Sequence, residues 1–384
     1  MPARVSVAPQ MLTWARKRSG KALDELARRF PKLSEWEAGE LLPTMRQVEQ
    51  FAQATYTPIG FLFLSEPPTE TVPIPDFRTH DSEAPKAPSP NLLDTIYACE
   101  QRQDWYREFA EAAGEDEVAL VGSASLSDDP GEAAARLRGV LGFDLSRRRE
   151  FTSWTDALSK LSEHVEDLGV LVMISGVVGT NTHRKLDPDE FRGFTIVDGV
   201  APLVFVNGAD TKAAQIFTLA HEIAHIALGG SALSNPDLRE LQSSEATERW
   251  CNEVAAELLV PAESIVAEFR RDENLTDELD RLARLYRVST LVVLRRIHDT
   301  GLMSRARYRR EYEQELARVL ELLSRSSSGG DFYNTQPVRV SRKFARALIS
   351  DTLEGRTLYR DAFRLLGFRK ASTFDEWSQR LGAA

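Results

Sequence analysis

The chain has 384 residues, 42% hydrophobic and 28% charged, with a formal net charge of −10; this is enough for two or three compact globular units and unlike the composition of a disordered chain. The acidic balance argues against wholesale coating of nucleic acid, no stretch approaches the uninterrupted apolar length of a membrane span, and Met1-Pro2-Ala3-Arg4-Val5 has no apolar signal core. Two cysteines, Cys99 and Cys251, are too few for a disulfide framework, so the expectation is a soluble protein of the reducing cytoplasm, without a membrane partner.

The charge is uneven. Residues 1–64 hold nine Lys/Arg against six Asp/Glu, and residues 304–384 hold sixteen against ten, so an acidic body lies between two mildly basic ends. Either end has the charge for local contact with DNA or an acidic partner.

Residues 1–64 read as four or five short helices, in Met11–Arg16, Ala22–Ala27, Leu33–Glu40 and Val48–Ala52. The series, and above all Trp36-Glu37-Ala38-Gly39 with Pro43, resembles the helix-turn-helix domain of Xre/Cro-type repressors. Such domains set the recognition helix with a glycine-containing turn, whereas here Arg28-Arg29-Phe30-Pro31-Lys32 runs almost directly into an acidic Leu33-Ser34-Glu35. Two readings follow, sequence-specific DNA binding or a helical docking module of repressor-like ancestry.

Residues 65–90 form a proline-rich linker, with Pro75-Asp76-Phe77-Arg78-Thr79 as an extended strap across the body that follows. Helices are expected at Asn91–Ala113, Pro130–Gly142 and Trp154–Leu168, then a strand at Gly169–Ile174. A hairpin of Phe194–Val197 and Leu203–Val206 turns through Asp198-Gly199. The hairpin is either a plain structural unit or an edge that holds a peptide by strand addition, with Phe191, Arg192 and Gly193 at the cleft mouth. His183, in a polar loop, is either solvated or an oxyanion donor.

His221-Glu222-Ile223-Ala224-His225 follows in a helix framed by Thr218-Leu219-Ala220 and a terminating Gly229. Residues four apart stack on one helical face, so two imidazoles can meet at a single tetrahedral ion while Glu222 stays free to move protons. The same spacing also suits a packed pair of core histidines. A zinc site needs a third protein ligand, and the next helix, Glu245–Pro261, offers Glu248. Asn252, one turn on, can fix a histidine tautomer. The alternative for Glu248 is a solvated helix charge like Glu253 and Glu257, and Cys251 beside Trp250 reads as core packing.

The run Phe217–Gly229, Glu248, Cys251-Asn252 and Ala255-Ala256-Glu257-Leu258-Leu259-Val260-Pro261 closely resembles the ImmA/IrrE family of zinc metallopeptidases, over about Thr152 to Pro261. The resemblance implies His221, His225 and Glu248 as ligands of Zn2+ and Glu222 as the general base. It also implies a partner transcriptional repressor as protein substrate, in a stress or mobile-element response.

Beyond Pro261, Leu279–Thr300 looks like the helix pair that closes such a catalytic fold, with His298 structural. Tyr308–Leu323 is a charged amphipathic helix, Ser324–Gly330 a flexible linker, and Phe344–Leu381 a small helical tail. The expected architecture is α+β: a helix-turn-helix domain at 1–64, a linker at 65–90, a zincin-like domain with a small sheet at 91–303 and a helical extension at 304–384. The expected function is a zinc endopeptidase. The rival is a DNA-binding regulator or antitoxin-like module whose zinc domain is sensory or structural.

Overall fold

Four short strands set the frame on which the functional residues sit. β1 (Leu171–Ser175) pairs in parallel with β3 (Leu203–Asn207), and β2 (Gly193–Ile196) lies antiparallel between β3 and β4 (Ala232–Ser234), giving the order β1-β3-β2-β4. Every residue of the four strands is buried, which explains why their sequences run as continuous apolar stretches instead of alternating. The structure, a computed structural model, describes residues 3–76, 87–234, 246–324 and 338–382. Most of these are helical, so the α+β class holds. Among them no helix is long and apolar enough to cross a membrane.

Two compact units divide the chain: Met1–Pro73 with Pro85–Ile96, and Ile74–Ala84 with Tyr97–Ala384. In the smaller unit, helices Pro9–Arg18, Leu23–Ala27, Leu33–Glu37 and Met45–Ala54 precede a 3-10 turn at Ile59–Phe63. Met11, Leu12, Phe30, Leu33, Trp36 and Phe51 form its core, with Phe30 set edge-on to Phe51. Thr44 and Gln47 make a reciprocal capping box at the fourth helix, satisfying two of its orphan amides. The second and third helices have five residues each.

In the larger unit, helix Lys212–Leu228 packs on the sheet and against helices Trp154–Asp167 and Ala246–Leu259. Thr211 caps its start by accepting from Ala214 N–H, and Gly229 ends it at φ 74°, a left-handed conformation that glycine adopts without a Cβ clash. Ile216, Ile223, Val204, Leu258 and Val293 belong to one continuous apolar core. The helix pair expected near 279–300 is Leu275–Tyr286 and Thr290–Asp299. His298 stacks on Tyr308 at 4.8 Å, and its Nδ1 lies 2.9 Å from the Met303 carbonyl.

Arg148 is fully buried in this unit, without a carboxylate partner in hydrogen-bond reach among the described residues. It donates to the carbonyls of Phe143 (3.2 Å), Leu258 (2.9 Å), Leu259 and Tyr286 (3.4 Å), and lies 4.7 Å from the Phe143 ring centre. Burial lowers its pKa to about 9, still above neutrality, so the charge persists. Arg138 adds bonds to the carbonyls of Glu257 and Leu258. These arginines satisfy the carbonyls that helix Ala246–Leu259 leaves open at its C-terminus and complement its dipole.

The C-terminal part folds as helices Arg342–Leu353, Tyr359–Leu366 and Ala371–Arg380 around Phe344, Phe374 and Trp377. Arg102 Nε donates to the Leu365 carbonyl at 3.0 Å, tying this part to helix Pro90–Ala113. Phe77–Thr79 of the expected strap, Glu245 at the expected start of the second metal-site helix and most of the expected Ser324–Gly330 linker lie outside the described residues.

Candidate metal centre

Three side chains converge between two helices. His221 and His225 lie on one face of helix Lys212–Leu228, with their Nε2 atoms 3.1 Å apart. Glu248, in the first turn of helix Ala246–Leu259, places Oε2 3.3 Å from His221 Nε2 and Oε1 3.0 Å from His225 Nε2. The ligand-capable atoms of the three all lie within 4.8 Å of one another, and all three residues are buried. Two nitrogens each about 2.0–2.1 Å from one tetrahedral ion stand roughly 3.3 Å apart, so the spacing suits a shared ion.

The polar atoms also lack ordinary partners. Glu248 Oε1, Glu222 Oε1 and His221 Nδ1 are buried with no hydrogen bond of good geometry among the described residues. A carboxylate oxygen without a well-directed donor in a dry interior is costly, and a cation shared with the two imidazoles would remove that cost. The residues therefore fit a divalent metal.

The electrostatics agree. Burial would raise the Glu248 carboxyl, yet His221 and His225 hold it well below the usual carboxylate range. Burial works against a proton on His221, but Glu248 beside it shifts the balance upward, with smaller help from Glu222 and Asn252. His225 is lowered, chiefly by burial. At neutral pH the set offers an ionised carboxylate beside imidazoles, the donor chemistry that zinc takes.

Glu222 lies within the same wall but points to the sheet. Its Oε2 accepts a hydrogen bond from Thr195 Oγ1 of β2 at 2.7 Å, and burial pushes its pKa up to about 8. Gly193 makes room for it. A Cβ at Gly193 would stand 2.8 Å from Glu222 Oε1, 2.6 Å from Thr218 Cγ2 and 3.0 Å from the Phe205 carbonyl oxygen. Ser234 of β4 completes the surroundings, its Oγ 3.4 Å from His225 Nε2. Neither Thr195 nor Ser234 was singled out by motif spacing. The available signal was a hydroxyl inside an otherwise apolar strand, Gly193-Phe194-Thr195-Ile196.

The other candidates separate clearly. Cys251 is buried in the apolar core, and burial raises its thiol well above the ordinary value, as packing requires. Glu257 accepts from Ala262 N–H and pairs with Arg296, a capping role, while Glu253 is exposed. His183 lies on an exposed loop outside the converging set. Phe191 is fully buried and Gly193 is paired on both sides, because β2 is interior and not an edge. The hairpin therefore offers no free edge of its own beside the HExxH helix. β4, which follows that helix, takes the outer position.

Residues 165–298 match the model of the IrrE N-terminal-like domain. That span contains all four strands, both metal-site helices and all but the last residue of the closing helix pair, and it supports an ImmA/IrrE-type peptidase domain there. Residues 340–380 match a domain of unknown function, DUF8813, which spans the C-terminal helices. No curated protein matches the chain.

Proposed function

We propose that the chain is a zinc-dependent endopeptidase that cleaves a protein partner, a transcriptional repressor or similar regulator in a stress or mobile-element response. The observation that carries this reading is the meeting of His221, His225 and Glu248 on a buried wall that also holds Glu222. When bound, zinc would polarise the scissile carbonyl and lower the cost of producing a nucleophile from water near neutral pH. The protein's own residues do the rest. His221, His225 and Glu248 would hold the ion through three protein atoms and leave the fourth position open, as a catalytic site requires. Glu222 accepts the proton of the attacking water and delivers it to the leaving amine. Thr195, bonded to one Glu222 oxygen, leaves the other free for that transfer. Asn252, next to His221, helps set its protonation.

The N-terminal helices are proposed as a docking module for the partner. The helix in the recognition position, Leu33–Glu37, has five residues and buries Leu33 and Trp36, and Arg16 holds Glu37 at 2.8 Å. Little of it is left to reach base edges.

Elemental analysis of dialysed protein tests the centre. About one zinc per chain is expected, and Glu248→Ala should retain almost none. A wild-type chain that neither carries nor takes up zinc would remove the peptidase reading.

A further inference from the structure

By topology β4 ends the sheet, since it pairs with β2 alone among the four strands. An end strand presents a row of unpaired backbone groups to its surroundings. Yet Ala232, Leu233 and Ser234 are all 0% exposed. Part of what covers them is the chain's own linker. Leu233 N–H donates to the Pro75 carbonyl at 2.8 Å, Asp76 forms a parallel bridge with Leu233, and Ile74 is buried.

β4 is also the strand that borders the metal centre. Ser234 Oγ approaches His225, and the Ser234 carbonyl accepts from Arg192 N–H at 3.3 Å. The linker thus occupies the first outer position from which an extended chain could reach the centre by strand addition. Its hold is slight. Pro75 has no N–H to give, so the segment cannot build a full ladder at that position.

We propose that Ile74–Asp76 is an intramolecular plug on the strand-addition edge of β4, displaced when an extended polypeptide segment takes its place. The inference rests on the proposed peptidase reading only for what then happens to that segment. An incoming segment with an N–H where the plug has Pro75 gains a backbone bond there that the plug cannot make, which favours the exchange. The plug is part of the linker leading from the N-terminal helices.

The test uses the full-length chain carrying Glu222→Gln, with and without Ile74→Asp. Residue-resolved hydrogen exchange reads the Leu233 amide, and fluorescence anisotropy reads binding of labelled casein, a largely unstructured polypeptide. With the anchor removed, Leu233 exchange should rise at least tenfold while Val204 and Phe205 stay unchanged, and casein should bind at least tenfold more tightly. Faster exchange without tighter binding overturns the proposal, as does no change in either. If Ile74→Asp does not fold, Ile74→Ala is measured in the same way. Tighter binding without any casein cleavage, once Glu222 is restored in the zinc-loaded chain, leaves the plug standing and counts against the peptidase reading.

Discussion

Glu222 combines a catalytic assignment with a thermodynamic cost. Its folded pKa, about 8, lies above the ordinary glutamate value of 4.5 because burial disfavours the carboxylate. A raised acid contributes stability in full below its unfolded pKa and loses it as pH climbs through the folded one. In metal-free protein, Glu222→Gln should therefore raise Tm by a few degrees at pH 9 relative to Glu222, with the difference shrinking toward pH 5; calorimetry at the two pH values checks this. The same variant should keep its zinc and lose cleavage. Thr195→Val removes the 2.7 Å hydrogen bond that lowers the Glu222 pKa. It should leave zinc content intact, reduce turnover about tenfold, for a lost bond of about 1–1.5 kcal/mol, and move the acidic limb of the rate profile, which the general base sets, to higher pH.

At the scale of elements, the helix that carries Glu248 is anchored at its far end by Arg148. Replacing that guanidinium with methionine keeps much of the volume but strips donors from the Leu258, Leu259 and Phe143 carbonyls. Arg148→Met should cost about 3 kcal/mol, seen as a lower urea midpoint with unchanged slope. The two metal-site helices were legible in the sequence because their periodicities are long, their ends are punctuated by Gly229 and Pro261, and their polar residues stand four apart. β4 was not legible: three residues, Ala232-Leu233-Ser234, carry too little pattern to mark a strand, and it takes its position only by pairing with β2. Thr195 escaped for a related reason, since its partner is 27 residues away and only the packing of sheet on helix brings them together. The short helices Leu145–Arg148 and Ala262–Glu268 have too few turns to show a periodicity.

For the whole molecule, the division into two compact units predicts how it unfolds. The metal-site residues all belong to the larger unit, so a ligand held there stabilises that unit by mass action. Calorimetry should resolve two transitions, of which only the larger in enthalpy shifts downward when a chelator removes zinc. A single transition that moves as one would show that the units unfold together. The acidic middle and basic ends read from composition concern association and not this architecture.

Gly193 carries a consequence for heredity. Any side chain there meets Glu222, Thr218 and the Phe205 carbonyl at once, on a strand held from both sides. A missense change at that codon has to displace Glu222 or Thr218, although the residue has no functional group and would escape any search for chemistry. In a population of alleles, position 193 should be as silent of variation as the histidines, for reasons of space alone.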